Sequence, residues 1–164
     1  MGAKREEKTM ADQGKSGPFH TLHHLCLVVR DIDKAMKFYE SIGIGPWHDY
    51  PPLGEFSELK MPDEAAFKAL KFKWAQIGPI QLQMVTPPPG GSPQRKFLEE
   101  HGEGVFHVGF VVDDVDAGEA DAVKRGLDVF MRGRRENGSG FTYFKTADKG
   151  AGVTLSIRKS PPAK

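Results

Sequence analysis

Residues 22–43 read LHHLCLVVRDIDKAMKFYESIG, and residues 106–126 read FHVGFVVDDVDAGEADAVKRG. The second stretch repeats the first without a gap: a constant offset of 83 carries His24 to His107, Val28 to Val111, Asp31 to Asp114 and Gly43 to Gly126. A fixed offset over so many positions marks a duplicated structural unit. In each copy an apolar run rich in Val and Leu predicts a strand, an Asp supplies a helix N-cap, and a Gly closes the helix. Strand alternation divides Leu25, Leu27 and Val29 from His24, Cys26 and Val28, and Val108, Phe110 and Val112 from His107, Gly109 and Val111. The bulkier set is expected beneath the following helix. The set that contains the histidine then faces the partner strands, where Cys26 and Gly109 leave room.

Outside the repeat, Pro51-Pro52 and Gly54 indicate a long loop or a frayed edge hairpin, and Pro62-Asp63-Glu64 a short helix or turn. Residues 70–77 and 79–86 predict a hairpin hinged at Gly78. Pro87-Pro88-Pro89-Gly90-Gly91 is the clearest linker, followed by a helix that Ser92 caps and Pro93 opens. Residues 127–131, 141–146 and 153–157 supply further strands. Each half thus reads strand, helix, strand, strand, strand, an α+β pattern. We divide the chain into an N-terminal arm (1–19) and one domain (20–158), closed by a loose tail (159–164). Within the domain, module one is 20–87, a linker runs over 88–104, and module two is 105–158.

Bulk properties narrow the function. With a net charge of +1 over 164 residues, no strong field steers the chain to nucleic acid or an anionic membrane. No apolar run approaches the roughly 20 residues that span a bilayer. The single cysteine, Cys26, excludes an internal disulfide and a cysteine-built zinc site, so a reducing cytoplasm is expected. The polar segment before residue 18 has no apolar signal core. No phosphate loop, no Ser-His-Asp order and no dinucleotide fingerprint is present.

The strand opening on His, followed by Val, any residue, Asp and a helix with Phe38-Tyr39, resembles the vicinal oxygen chelate superfamily. That superfamily includes glyoxalase I, methylmalonyl-CoA epimerase, extradiol dioxygenases and bleomycin-resistance proteins. Residues 97–107 (FLEEHGEGVFH) and the GVTLSI stretch ending at Ile157 look most like the epimerase branch. The resemblance implies two βαβββ modules joined into a cupped half-barrel sheet around a divalent metal (Zn, Co, Ni, Mn, Mg or Fe). It implies His24, Gln83 and His107 as metal ligands. The fourth ligand position falls on Ser156, where metal-dependent relatives place a glutamate. A site without a carboxylate leaves the ion's charge uncompensated, which weakens its hold and favours an anionic ligand.

Other residues keep two readings. Gln81 shares a face with Gln83 and either lines a cavity or lies on a solvated edge; Cys26 is a small buried filler or a cavity residue. On residues 71–74 either Lys71 and Lys73 or Phe72 and Trp74 face the cup. His23 should point away from His24 and be structural, and Arg132, Arg134 and Arg135 read as a solvated loop or an anion clamp. The function expected is a metal-dependent lyase, isomerase or epimerase that stabilises an enolate of a small, anionic, oxygenated substrate, in a homodimer. The catalytic base is unassigned, with the loop around Glu55 and Glu58 as one source. A non-catalytic, resistance-type binding protein is the alternative, and a ring-cleaving dioxygenase ranks third.

Overall fold

A computed structural model describes residues 17–162. In module one, strand β1 (Leu22–Val28) leads into helix α1 (Ile32–Ser41), then β2 (His48–Asp49) and β3 (Glu58–Lys60). Helix α2 (Glu64–Lys68) and the hairpin β4 (Lys71–Ile77) and β5 (Ile80–Thr86) follow. Helix α3 (Pro93–His101) links to β6 (Gly104–Val111), helix α4 (Val115–Lys124), β7 (Val129–Arg134), β8 (Gly140–Phe144) and β9 (Thr154–Lys159). All nine strands form one sheet in the order β2-β4-β5-β1-β6-β9-β8-β7-β3.

The repeat is visible in that order. Each first strand pairs in parallel with the last strand of its own module, β1 with β5 and β6 with β9, and the two first strands pair antiparallel at the centre. The helices begin alike: the Asp31 carboxylate accepts from the Lys34 amide at 3.0 Å, and Asp114 accepts from the amides of Asp116 and Ala117 at 2.9 Å. Gly43 and Gly126 close them at φ +88° and +93°, a backbone region costly for any side chain with a Cβ. Leu27 and Val29 pack with Ile32 and Met36 beneath α1, and Phe110 and Val112 pack with Val115 and Ala122 beneath α4.

The residues between β2 and β3 do not form an edge hairpin. These two short strands sit at opposite ends of the sheet, β2 on β4 and β3 on β7. The chain from Tyr50 to Ser57 therefore straps across the concave side, which requires a sheet curled enough to bring its two edges within reach of eight residues. Helix α2 returns the chain to β4; its Phe67, and Leu70 just beyond its end, pack in one core with Cys26, Val28 and Val85.

The ends of the domain also extend past the boundaries read from the sequence. Phe19, placed in the arm, packs edge-on against Phe110 and Phe144, with ring centres 5.4 and 5.7 Å apart. Lys159, placed in the tail, belongs to β9. Most of the arm, residues 1–16, lies outside the described residues. Arg132 and Arg134 form no solvated loop: both belong to β7. Arg134 is buried and donates to Asp116 at 2.7 Å, Glu119 at 2.6 Å and Thr142 at 3.1 Å, tying β7 to α4. A guanidinium out of water needs this many acceptors.

Candidate functional site

The register lays the candidate residues on one face. Gln81, His24, Gly109, Ser156 and Tyr143 form one row across five strands, and Gln83, Cys26, His107 and Thr154 form the next. His24 and His107 turn their rings to each other, with Nε2 atoms 2.7 Å apart and ring planes at 86°. They are 4% and 1% exposed, and Gln83 is 3% exposed. The Gln83 amide nitrogen donates to the Gln81 side-chain oxygen at 3.0 Å, which leaves the Gln83 carbonyl oxygen available to a ligand.

Two bulges place the rings. The pairing of β1 with β6 slips between Leu22 and His24, where His23 is the extra residue, and between Cys26 and Leu27, where Phe106 is. These are the same position in the two copies, immediately before each histidine. A bulge breaks strict alternation and re-aims side chains. His23 is therefore not turned away: its Nδ1 lies 2.8 Å from Nδ1 of His24, and Phe106 meets His107 at a ring spacing of 5.5 Å. Gly109 does not leave room for a ligand, because the His24 ring occupies that space: a Cβ there would lie 2.0 Å from Cε1 of His24.

The histidines are held neutral. Burial first, then the Arg158 charge, lowers His107 to about 3 and His23 to about 4. Burial, then the neighbouring His107, His23 and Arg158, holds His24 well below the ordinary histidine range. Neutral imidazole is the ligating form. The unfolded chain takes up protons below about pH 6.5 while folded His107 does not, so stability falls as pH drops from there toward the folded value. His107 alone removes about 2 kcal/mol by about pH 5. Urea midpoints of metal-free protein at about pH 7.5 and pH 5 should show this loss, and His107→Gln should lessen it.

A cavity of about 160 Å³ opens above this floor. His24, Gln83 and Ser156 line it, as do Phe72 from β4 and, from the strap, Tyr50 and Leu53. Phe72 therefore faces inward on β4, while Lys73 turns to Asp49 and Trp74 packs on His48. His107 lies one layer deeper, its Nε2 also 3.3 Å from the Tyr143 hydroxyl and its Nδ1 buried without a hydrogen-bond partner among the described residues. Cys26 and Gln81 do not line the cavity. Burial pushes the Cys26 thiol up, so it is a filler rather than a nucleophile. Neither Glu55 nor Glu58 reaches the wall; Glu58 pairs with Lys60 at the sheet edge. Tyr143 and Arg158 line the cavity without having been singled out from the sequence, and Arg135, one member of the anion-clamp alternative, lines it too. Arg158 follows Ser156 by two in β9, so alternation alone would have placed it there.

Among the described residues no three His, Cys, Asp or Glu side chains cluster as a metal site. The donor set is instead two neutral imidazoles and one amide oxygen. Nitrogen atoms 2.7 Å apart are at hydrogen-bond distance, and adjacent ligands of an ion bound at about 2.1 Å lie about 3.0–3.4 Å apart, so the two rings would part by a few tenths of an ångström to admit one. Imidazole nitrogen and amide oxygen are donor types that a divalent cation accepts, and a set without a carboxylate would hold one weakly.

The model of the glyoxalase/bleomycin resistance protein/dioxygenase superfamily matches residues 23–144. The chain belongs to this superfamily. A methylmalonyl-CoA epimerase from Mycobacterium tuberculosis shares the fold at a TM-score of 0.64 and 18% identity, covering 90% of this chain and 92% of that one. A Streptomyces coelicolor methylmalonyl-CoA epimerase variant in complex with 2-nitronate-propionyl-CoA is 25% identical, with a TM-score of 0.64 and coverage of 87% and 98%. An uncharacterized protein of Bacillus subtilis, YqjC, is 30% identical over 91 residues, 55% of this chain; the match spans only 56% of that relative's length. No described helix is long and apolar enough to cross a membrane.

Proposed function

We propose that this superfamily member is an isomerase of the epimerase type, moving a proton on the carbon next to a carbonyl of a small acyl substrate. The observation that carries this reading is the convergence of His24 and the deeper His107 beneath a strapped cavity that His24 and Gln83 line. His24, Gln83 and His107 would hold a divalent ion, which when bound supplies Lewis-acid polarisation of substrate oxygens. The chain's own part is to orient and to exclude water. Tyr143 and His23 fix the two imidazoles, and Phe67, Phe72 and Phe141 give the cavity a dry wall. A cavity of about 160 Å³ holds an acyl head and leaves a carrier such as CoA outside the cup.

A second reading, a protein that sequesters the ligand without chemistry, draws on the wall's lack, among the described residues, of any carboxylate to act as base. Proton exchange separates the two. Metal-loaded protein with methylmalonyl-CoA in D₂O should wash out the proton next to the thioester carbonyl faster than buffer does. His24→Ala and His107→Ala should lower the rate about a hundredfold or more. Binding without any exchange would establish sequestration instead.

A further inference from the structure

Among the described residues, the cavity wall carries Arg135, Arg158 and Lys159 and no Asp or Glu. Arg158 donates to the Tyr50 hydroxyl and to Ser160 Oγ, each at 3.1 Å. Arg135 donates to the Leu53 carbonyl oxygen and lies 4.2 Å over the centre of the Phe56 ring. Every one of these partners is neutral. Arg132 and Arg134, by contrast, are paired with Asp116 and Glu119. Among the described residues, carboxylates therefore meet the guanidiniums that tie β7 to α4 and none lies inside the cup. Burial holds Arg135 below the usual arginine range, with Tyr50 opposing the shift and the Arg158 charge adding a smaller push in the same direction as burial. Like charges gathered in a partly dry cavity are costly unless an anion joins them.

We propose that Arg158 and Arg135 form a clamp for a substrate carboxylate, so that the cup takes a compact organic acid, or an acyl group bearing a free carboxylate. This deepens the reading of the cup as the reactive site by naming its substrate class. The guanidinium fork matches a carboxylate with two parallel hydrogen bonds. Phe67, Phe72 and Phe141 would receive the apolar body, in a space close to that which holds a benzene molecule. An inorganic phosphate could satisfy the charges but would leave those rings unfilled. Tyr50 and Leu53, the present partners of the clamp, both belong to the strap, so an incoming carboxylate competes with the strap for the same N–H groups.

Calorimetric titration of chelator-treated protein with phenylacetate, methylmalonate, phenylacetamide and inorganic phosphate tests the clamp apart from any metal. Both carboxylates should bind, and the amide should bind about tenfold or more weakly. Arg158→Met should weaken phenylacetate about tenfold or more, and Arg158→Lys less, because it keeps the charge and loses the fork. Circular dichroism checks folding, and the Lys variant with the salt dependence of binding keeps the test open if the Met variant unfolds. Equal binding of acid and amide, tighter binding of phosphate than of phenylacetate, or indifference to Arg158→Met would overturn the clamp. Arginine-dependent carboxylate binding without proton exchange would remove the isomerase and leave the clamp. Exchange without such binding would do the reverse.

Discussion

Gly109→Ala is expected to unseat His24 and destabilise the protein by about 3 kcal/mol or more. The added Cβ would lie 2.0 Å from Cε1 of His24 and 2.5 Å from both ring nitrogens. The ring cannot swing aside freely, because His23 holds its Nδ1 side and His107 its Nε2 side. Nor can the backbone give easily: Gly109 pairs with β1 on one side and β9 on the other, at the centre of the sheet. If the clash is the cause, removing the ring must relieve it. The His24→Ala/Gly109→Ala double variant should then be more stable than Gly109→Ala alone, measured by urea unfolding. A double variant no better than the single one would show that the glycine is required for some other reason.

The second large effect is a gain. Ser156→Glu should tighten zinc or cobalt binding about a hundredfold. Ser156 pairs with Gly109, and the space over Gly109 is filled by the His24 ring, so a carboxylate here enters beside the imidazoles. It would also offset the Arg158 charge, which now reaches His24, His23 and His107 and opposes a cation. The same carboxylate should repel an anionic ligand, so phenylacetate affinity should fall as metal affinity rises. Unchanged metal affinity would place Ser156 outside the ligand sphere.

The constant offset between the two histidine strands was enough to read the module plan, because duplicated caps, glycines and apolar positions dictate duplicated local structure. The strap was not legible. β2 and β3 are two and three residues long, too short for any periodicity, and their partners are chosen by the curl of the whole sheet. Counting by twos placed His24, Gln83, Ser156 and His107 on one face, yet it turned His23 away, since a single bulged residue is invisible to that count. Gly109 was read as space for a ligand because its occupant, a ring from the neighbouring strand, depends on pairing register. Arg134 looked like part of a mobile basic loop because its acidic partners, Asp116 and Glu119, lie on a helix at a distance in sequence.

Everything catalytic in this account rests on His24, His107 and Gln83 gripping one divalent ion. Titration of the wild-type protein with zinc or cobalt, read by calorimetry, tests that most directly. One ion should bind per chain, lost with His24→Ala or His107→Ala and weakened with Gln83→Ala. Failure to bind any ion, or binding that survives both histidine substitutions, would contradict it.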